Sequence, residues 1–338
     1  MIEIDGSYLE GGGQIIRTAT ALSAVTGKPC KMTKIRYGRC SPGLQAQHLT
    51  SIKAAAMLCN ADVSGLKFGS ESITFTPGKI KSGRFELDVG TAGSITLVLQ
   101  TILPIALSSS ETCNISVTGG TDVKWSPSSS YFTDVFCANL AKLGLKLKAH
   151  IERYGFYPKG GGRVSVKTSP SDIGIINLSE RGALEGVSIK SIASASLKIR
   201  KVAERQLAGF DSAFSEKHEP KISYVESLSP GSCIHATADY EHVAVGFSSL
   251  GEPETKAEDV GSSCALGLKK QLKQAGALDE YMEDQIIPYM ALSALKNKRT
   301  TKIKSGVITN HTKTNIWVVE KFLPVKFSIG KIIECIPI

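Results

Sequence analysis

The sequence is poor in aromatic residues and contains no long uninterrupted apolar run. Aromatic residues make up 7% of the 338 residues, whereas hydrophobic residues make up 42% and charged residues 21%. The longest apolar stretch, Ile95 to Leu107, contains polar residues and Pro104. It is too short for a bilayer and predicts a buried helix. Because a strand-like segment follows Met1 directly, with no signal-like segment, we expect a folded cytoplasmic protein without a membrane partner.

Cysteines are present, but no two of the eight have Cys-x-x-Cys spacing. Clustered ligands are needed for a zinc site, and a secreted disulfide scaffold needs a higher cysteine density. Most of the cysteines lie in apolar runs, as Cys59 does. We therefore expect reduced cysteines in the core, with an isolated disulfide of the kind seen in some thermophile proteins left open.

The two common phosphate-binding fingerprints, the P-loop and the Rossmann glycine motif, are also absent. Four glycine-bearing segments occur instead at predicted element junctions: Glu10–Gln14, Gly90–Ser94, Gly119–Asp122 and Pro158–Gly162. The first two precede predicted helices, whose free N–H groups can bind an anion. Ordinary tight turns remain an alternative interpretation of each segment.

Positive charge is in excess, because the net charge is +9. This value is compatible with a nucleic acid or nucleotide partner, although solvated lysines spread along the chain would give the same value. Arg17, Arg36 and Arg39 lie at predicted helix and strand ends beside glycine turns. At such ends a guanidinium group can bind a phosphate in bidentate fashion, and simple surface charge is the alternative.

The hydrophobic pattern predicts an α/β fold with a recurring unit of strand, helix, strand, helix, strand, strand. A first copy spans residues 2–76, a second spans 85–167, and a third begins near Ile175–Leu178 and is interrupted. The first unit includes a predicted strand at Lys31–Arg36. The predicted helices of the three units are Gly13–Val25, Leu44–Cys59, Ser94–Leu107, Ser129–Leu143, Glu280–Leu295 and His311–Phe322.

The interruption in the third unit has an α/β pattern of its own. It includes predicted helices at Ile199–Phe214 and Thr255–Gln274, and its serine- and glycine-rich turns are typical of surface loops. We therefore predict a large domain made of residues 1–184 and 277–338, with a small α/β domain inserted at residues 185–276.

Among the six histidines, His311 has the most informative context. It lies between Thr309-Asn310 and Thr312, where an apolar helix is predicted to begin. The positive end of a helix dipole favours the neutral, nucleophilic form of an imidazole. A polar capping residue is the commoner outcome for such a histidine. His48 is predicted to lie in the core or in a site, and the other four at the surface: His150, His218, His235 and His242.

In combination, these motifs resemble those of the RNA 3′-terminal phosphate cyclases. The matching segments follow in order from residue 5 to about residue 328, and Arg153–Gly162 is the most specific. The other matching segments are Asp5–Gly6, Glu10–Arg17, Arg36–Arg39, Pro42–Thr50, Gly93–Gln100, Gly119–Asp122, Tyr281–Gln285 and His311–Asn315.

This resemblance implies three repeats of a fold like the C-terminal domain of translation initiation factor three, plus a small inserted α/β domain. Members of the family convert an RNA 3′-phosphate to a 2′,3′-cyclic phosphodiester, using ATP and a divalent metal such as Mg or Mn. A histidine takes AMP from ATP and passes it to the RNA 3′-phosphate, and the neighbouring 2′-hydroxyl then displaces AMP. The expected partners are ATP and RNA ending in a 3′-phosphate; the oligomeric state stays open, with a homodimer as one option.

The resemblance also implies roles for individual residues of this chain. His311 is the nucleophile, and Glu10 holds the metal on the triphosphate. Tyr281 is suited to stacking on adenine. The expected phosphate and RNA-end contacts are Arg17, Arg36, Arg39 and Gln47. The other expected residues of the ATP pocket are Gln100, Pro127, Phe132, Met282, Glu283, Asp284 and Gln285.

Two rival functions remain. One is a catalytically inactive, RNA-binding relative acting in ribosome biogenesis, which would share the fold but lack the histidine; His311 argues against it. The other is an enolpyruvyl-transfer enzyme, whose repeat architecture is related. His311, the Tyr281–Gln285 segment and the lack of a convincing second repeat-rich half argue against that enzyme.

Overall fold

In a computed structural model, described over residues 1–338, the chain forms four small mixed β-sheets of four strands each. The fold is therefore of the mixed α/β class, as expected. The first sheet contains β1 (Ile2–Asp5), β2 (Cys30–Thr33), β3 (Asp62–Ser64) and β4 (Ile73–Thr76). The second contains β5 (Gly83–Asp88), β6 (Cys113–Gly119), β7 (Lys146–Arg153) and β8 (Gly162–Ser169). The third contains β9 (Asn177–Leu178), β14 (Thr301–Lys304), β15 (Val325–Ile329) and β16 (Ile332–Pro337).

These three sheets have one strand order: β1-β2-β4-β3, β5-β6-β8-β7 and β9-β14-β16-β15. In each, the first two strands pair in parallel and the remaining pairs are antiparallel. A parallel pair needs a crossover connection, and a helix supplies it between β1 and β2 and between β5 and β6. The loops that follow the parallel strands therefore come to the same edge of each sheet.

The helices beside these sheets bury apolar faces in one large hydrophobic core. They are α1 (Gly13–Thr26), α2 (Ala46–Cys59), α3 (Ile95–Leu107), α4 (Ser129–Tyr131), α5 (Ala138–Lys142), α8 (Glu280–Gln285), α9 (Ile287–Asn297) and α10 (Asn310–Phe322). The predicted buried helix corresponds to α3, in which almost every residue is buried. Helix α1 ends at its C-terminus with Gly27, which adopts a left-handed φ of 69°, a role that suits glycine.

Several predicted boundaries are wrong for local backbone reasons. The strand predicted at Lys31–Arg36 ends at Thr33, because Lys34 and Arg36 have left-handed φ values of 49° and 54°. The helix predicted from Leu44 begins at Ala46, since Gln45 is extended.

Two predicted helices are divided. The one at Glu280–Leu295 is split into α8 and α9 next to Pro288, whose ring nitrogen has no hydrogen to donate. The one at Ser129–Leu143 contains a π-helical segment, Phe132–Cys137, between α4 and α5. A π-helical turn holds more residues than an α-helical turn, so it rotates the helix face in a way that a regular period does not anticipate.

The segment between Leu184 and Lys273 has its own sheet and hydrophobic cluster. Its strands are β10 (Leu184–Ser194), β11 (Glu219–Val225), β12 (Ser232–Tyr240) and β13 (Ala244–Leu250), in the order β11-β10-β12-β13. Its helices are α6 (Val202–Ala213) and α7 (Ala257–Lys273). The helix predicted from Ile199 thus begins later, after a 3-10 segment at Ala195–Arg200 and the left-handed Lys201.

Specific polar contacts attach this segment to the rest of the chain. The Arg181 guanidinium donates to the carbonyl oxygens of Gln271, Leu272 and Gln274, near the end of α7. Side-chain atoms of Asn139 bond both the N–H and the carbonyl oxygen of Ala244 in β13. The segment therefore makes fixed contacts with its neighbours.

All eight cysteines are free, and all but the exposed Cys40 are buried. No helix is both long and apolar enough to cross a membrane. His235, predicted at the surface, is buried instead: its ring nitrogens bond the hydroxyls of Ser248 and Thr237 across β12 and β13. An alternating strand pattern does not reveal that both faces of a strand are covered.

Candidate active site

A cavity of about 850 Å³ lies where the loops after the parallel strands meet. Those loops follow β1, β2 and β6, and the first turn of α10 completes the wall. Binding beyond the carboxyl ends of parallel strands is a general feature of α/β proteins. The predicted site residues that line the cavity are Arg17, Arg36, Arg39, Gln47, Gln100, Pro127, Tyr281, Asp284, Gln285 and His311.

His311 lies in the first turn of α10. The Thr309 hydroxyl caps this helix by accepting the N–H of Thr312 at 3.0 Å. The ring Nδ1 of His311 bonds the amide oxygen of Gln14, and the Gln14 amide group donates to the His311 carbonyl oxygen at 3.2 Å. This pair of contacts assigns the hydrogen to Nδ1, so Nε2 keeps its lone pair.

Burial and two nearby arginines favour a neutral His311 ring. Burial lowers the pKa of His311, the Glu10 carboxylate opposes this by raising it, and Arg17 and Arg39 lower it again. The net direction is below the ordinary value of about 6.5. A neutral imidazole with a free Nε2 is therefore available as a nucleophile at neutral pH.

Glu10 is the carboxylate nearest to this nitrogen. One of its oxygens lies 3.1 Å from His311 Nε2 and 3.7 Å from an Arg39 nitrogen. Gly11, with φ of 55°, follows in a tight turn closed by its N–H bond to the Tyr8 carbonyl. Glu10 borders the cavity through these contacts although it is not among its lining residues.

A metal could be held here only with the help of a substrate. No group of three or more histidine, cysteine or acidic side chains is placed to hold a metal ion. Magnesium is commonly held by one or two carboxylates together with the phosphates of a nucleotide. Glu10 fits that kind of site.

The arginines give this part of the cavity a positive charge. Arg17 projects from α1 and is half-buried; burial lowers its pKa to about 10, partly offset by Asp284, so it remains charged at neutral pH. Arg36 is held by the carbonyl oxygens of Ser41 and Gly43, at 2.5 and 3.2 Å. Guanidinium groups so placed suit phosphate oxygens.

His48 lies behind these arginines. Its Nδ1 accepts the N–H of Gln45 at 3.1 Å, so its Nε2 carries the hydrogen and can donate. Burial, Arg17 and Arg36 together lower the pKa of His48 to about 3. Gly13 lies so close to His48 Nε2 that any Cβ there would collide with it. The sequence left His48 either in the core or in a site. In the structure it is both buried and part of the cavity wall.

The far end of the cavity is more apolar and contains Tyr281. This ring meets Tyr131 edge to face at 6.2 Å and Phe247, from β13, at 6.1 Å. The Gln285 amide group donates to the Tyr281 carbonyl at 2.8 Å and accepts from Gln100 at 2.6 Å. A flat ring with amide groups beside it is suited to a planar, polar-edged ligand.

Buried acids support this end. Asp279 caps α8 by accepting the N–H of Met282, and it also accepts the Tyr131 hydroxyl at 2.6 Å. Burial raises the pKa of Asp284 to about 8, with Arg17 opposing. Asp284 is therefore largely protonated at neutral pH.

Besides Glu10, which only borders the cavity, three predicted residues do not line it. Phe132 is buried and stacks on Phe136, which faces the cavity in its place after the π-helical turn. Met282 lies in the core. Glu283 points the other way, accepting the Ser305 hydroxyl at 2.7 Å and the Gly306 N–H at 2.8 Å. Because α8 is a helix, consecutive residues of the predicted segment face different directions, and Glu283 instead fixes the loop that leads to His311.

Other residues of the site were not predicted. Gln14 belongs to the recognised glycine segment, so its position at the cavity could have been inferred from that motif. Asn315 accepts the Thr18 hydroxyl at 2.7 Å and donates to the Asp284 carbonyl at 2.7 Å, linking α10 to α1 and α8. Four further unpredicted lining residues are Trp125, Tyr131, Phe247 and Ser248.

Comparison with known proteins gives a consistent result. The sequence family described as RNA 3′-terminal phosphate cyclase matches residues 8–329. Three curated relatives carry that same description. The protein from Methanosarcina barkeri is 41% identical over 98% of this chain and 97% of its own length. The proteins from Pyrococcus furiosus and Methanococcoides burtonii are 42% and 43% identical, over 99% and 98% of this chain and 95% and 97% of theirs.

Among solved structures, the enolpyruvyl transferase NikO from Streptomyces tendae aligns at 10% identity with a TM-score of 0.28. The alignment covers 99% of this chain and 65% of NikO. A TM-score this low does not indicate a shared fold.

Proposed function

We propose that this chain, which belongs to the RNA 3′-terminal phosphate cyclase family, converts an RNA 3′-phosphate to a 2′,3′-cyclic phosphodiester at the expense of ATP. One observation carries the proposal: His311 Nε2 faces Glu10 and the cavity arginines while Gln14 holds the opposite ring nitrogen. Neutral imidazole, an acid suited to a metal and several guanidinium groups are what phosphoryl transfer to a histidine needs.

In the first step, His311 Nε2 attacks the α-phosphorus of ATP. A phosphorus–nitrogen bond forms, the bond to the bridging oxygen breaks, and pyrophosphate leaves. The ring becomes positively charged, and the Nδ1–H bond to the Gln14 amide oxygen stabilises that charge. Arg17 and Arg39 neutralise the negative charge of the phosphates.

In the second step, an oxygen of the RNA 3′-phosphate attacks the same phosphorus and the phosphorus–nitrogen bond breaks. His311 returns to its neutral state, which its lowered pKa favours. In the third step, the RNA 2′-oxygen attacks the terminal RNA phosphorus and its proton passes to solvent water. The bond from that phosphorus to the oxygen shared with AMP breaks, and AMP leaves. Arg36, Arg39 and Gln47 are the residues that we assign to the RNA phosphate.

For ATP itself, we assign the adenine to the apolar end of the cavity. Tyr281 and Pro127 would cover its faces, and Gln100, Asp284 and Gln285 would meet its polar edge. A bound magnesium or manganese ion would neutralise triphosphate charge, and Glu10 is the carboxylate that we expect to hold it.

We further infer that the three sheets of like strand order are copies of one unit resembling the C-terminal domain of translation initiation factor three. Residues 185–276 would then be a domain inserted in the third copy. Their separate sheet and separate hydrophobic cluster support this division.

The competing function is an inactive RNA-binding relative. Incubation with ATP labelled at the α-phosphate, with Mg or Mn, distinguishes the two. We expect label on the protein, mass mapping of AMP to the peptide that contains His311, and cyclisation of an added RNA 3′-phosphate. Absence of label on the wild-type protein, in both metals, would favour the inactive relative.

A further inference from the structure

The most specific sequence motif, Arg153–Gly162, has no role in the steps above. Its middle lies at the surface: the Tyr157 side chain is 76% exposed, and Lys159 is also exposed. Neighbouring Phe156 and Gly160 are buried and fix the segment. A large ring that is held outside the core at a fixed position suggests a contact with another molecule.

This segment is continuous with the cavity. Gly160 lies against the backbone of Thr91 and Ala92, so closely that a Cβ would be 2.9 Å from Ala92 Cα. In the same loop, Gly93 lies beside the side chain of Gln47, which lines the cavity. The backbone that carries Tyr157 and Lys159 is therefore linked, through this loop, to the part of the cavity that we assign to the RNA phosphate.

In the other direction the segment meets the loop between β11 and β12. The Lys159 N–H donates to the Ser229 hydroxyl at 3.1 Å. The backbone of Gly161 lies against the Leu228 side chain, which is 62% exposed, and Gly231 lies against the ring of Phe156.

From that loop the surface continues to a basic turn. Gly231 exchanges hydrogen bonds with Ser194, which directly precedes the 3-10 segment Ala195–Arg200. Ile199 in this segment is 96% exposed. The exposed cations around it form no ion pair with a carboxylate: Lys198, Arg200 and Lys201.

We propose that these connected segments form an RNA track, defined as Tyr157, Lys159, Leu228, Lys198, Ile199 and Arg200. It binds the RNA strand on the 5′ side of the terminal phosphate that enters the cavity. This inference rests on the proposed function, because it takes the cavity as the site of the RNA 3′ end. The proposal also assigns RNA binding to the segment between Leu184 and Lys273.

The chemistry of the track favours single-stranded RNA over a protein partner. The exposed Tyr157 ring can stack on a base, and Leu228 and Ile199 can pack against bases. The cations between them are free of carboxylate partners and can contact phosphates, although Lys198 lies 6.0 Å from the centre of the Tyr224 ring. Two acidic residues, Glu226 and Glu204, lie near the track. The Glu204 carboxylate already accepts the Tyr224 hydroxyl at 2.5 Å. A strand whose end is held in the cavity must leave it over some adjoining surface, and the track is continuous with the cavity.

Binding to the full chain tests the track. We would measure the affinity for RNAs that end in a 3′-phosphate, comparing roughly 12 nucleotides with a dinucleotide. For Lys198→Glu with Arg200→Glu, we expect roughly tenfold weaker binding of the longer RNA and no change for the dinucleotide. The slope of log affinity against log salt should fall by about 0.7 for each lost phosphate contact. Tyr157→Ala should also weaken binding roughly tenfold, and Tyr157→Phe should not.

The matched control is Lys79→Glu with Lys298→Glu. Both lysines are exposed, and they lie in the loops before β5 and β14, at the opposite edge from the cavity. Equal weakening by this control, or unchanged binding of the longer RNA by Lys198→Glu with Arg200→Glu, would overturn the track. AMP capture from ATP is measured separately and needs no RNA. If the wild type captured no AMP, the proposed function would fail. The comparison of RNA affinities would still show whether RNA binds along the track.

Discussion

The two ends of the arginine-lined part of the cavity differ in how their charges are held. At the mouth, the side chains of Glu10, Arg39 and His311 are 36%, 43% and 45% exposed, and Glu10 forms an ion pair with Arg39 and a 3.1 Å contact with the neutral His311 ring. At the floor, Arg17, His48 and Asp284 are wholly or partly buried and have strongly shifted pKa values. Exposed pairs contribute little stability and can rearrange, whereas buried groups keep their positions. Arg17 and His48, whose pKa values lie far from 7, also keep their protonation states at neutral pH. We infer that the residues of the mouth carry out the AMP transfer. The residues of the floor set the electrostatic field in which that transfer takes place.

The largest expected effect comes from removing the nucleophile at the mouth. His311→Ala should reduce AMP capture and RNA cyclisation at least 10⁴-fold, roughly the loss seen when a catalytic nucleophile is removed. Because the side chain is half-exposed, the free energy of unfolding should change by less than about 1 kcal/mol. Labelled ATP and thermal unfolding measure the two quantities.

His242→Ala is the matched control, since His242 is exposed and lies outside the cavity. It should change neither AMP capture nor stability. Cyclisation by His311→Ala at the wild-type rate would remove the covalent step and, with it, the active role of the mouth.

The second effect concerns the metal. Glu10→Ala should slow AMP capture roughly 100-fold, because a charged group that stabilises phosphoryl transfer is lost. It should also shift the metal concentration for half-maximal capture upward. Glu3→Ala, at an exposed acid without an ion pair, is the control. An unchanged metal titration in Glu10→Ala would assign the metal to other groups.

The third effect is smaller and concerns orientation. Gln14→Leu removes the acceptor for His311 Nδ1 and should lower kcat for AMP capture by roughly 10-fold to 100-fold, as partners of reactive histidines do. The KM for ATP should stay close to the wild-type value, because Gln14 acts through His311. Gln14→Asn keeps the amide group on a side chain that is one methylene shorter, and it should lower kcat less than Gln14→Leu does. A change in KM alone would indicate that Gln14 contacts ATP directly.

The sequence predicted the arginine-lined part of the cavity better than its apolar end. Glycine turns, arginines at element ends and the context of His311 are local signals, and the resemblance assigned them in order along the chain. Local periodicity also located most strands and helices. The observed ends differ from the predicted ends where single residues such as Lys34 and Lys201 adopt left-handed φ values, because periodicity does not encode φ.

The apolar end of the cavity depends instead on contacts between distant segments. Phe247 reaches the cavity from a strand more than a hundred residues after Pro127, and no local pattern indicates this. The direction of Glu283 depends on the loop at Ser305, and the π-helical turn decides between Phe132 and Phe136. Such packing is determined in three dimensions, so the predicted stretches reach the cavity while Phe132, Met282 and Glu283 within them do not line it.

The last effect concerns stability rather than catalysis and tests the floor through its buried histidine. The pKa of His48 is about 3 in the folded chain and about 6.5 when unfolded, so between these values the unfolded chain binds the extra proton. The stability contribution is complete above pH 6.5 and is lost as the pH falls toward 3, by about 1.4 kcal/mol per pH unit at most. His48→Gln should make the free energy of unfolding fall less steeply between pH 6.5 and about 4.5.

His235, whose pKa burial lowers to about 4, contributes in the same direction and remains in that variant, so the slope should decrease rather than vanish. His242→Gln should leave it unchanged, because that residue is exposed. Denaturant unfolding at several pH values measures the slope. An equal slope in wild type and His48→Gln would mean that His48 accepts a proton in the folded chain, and the floor would then be no more fixed in charge than the mouth.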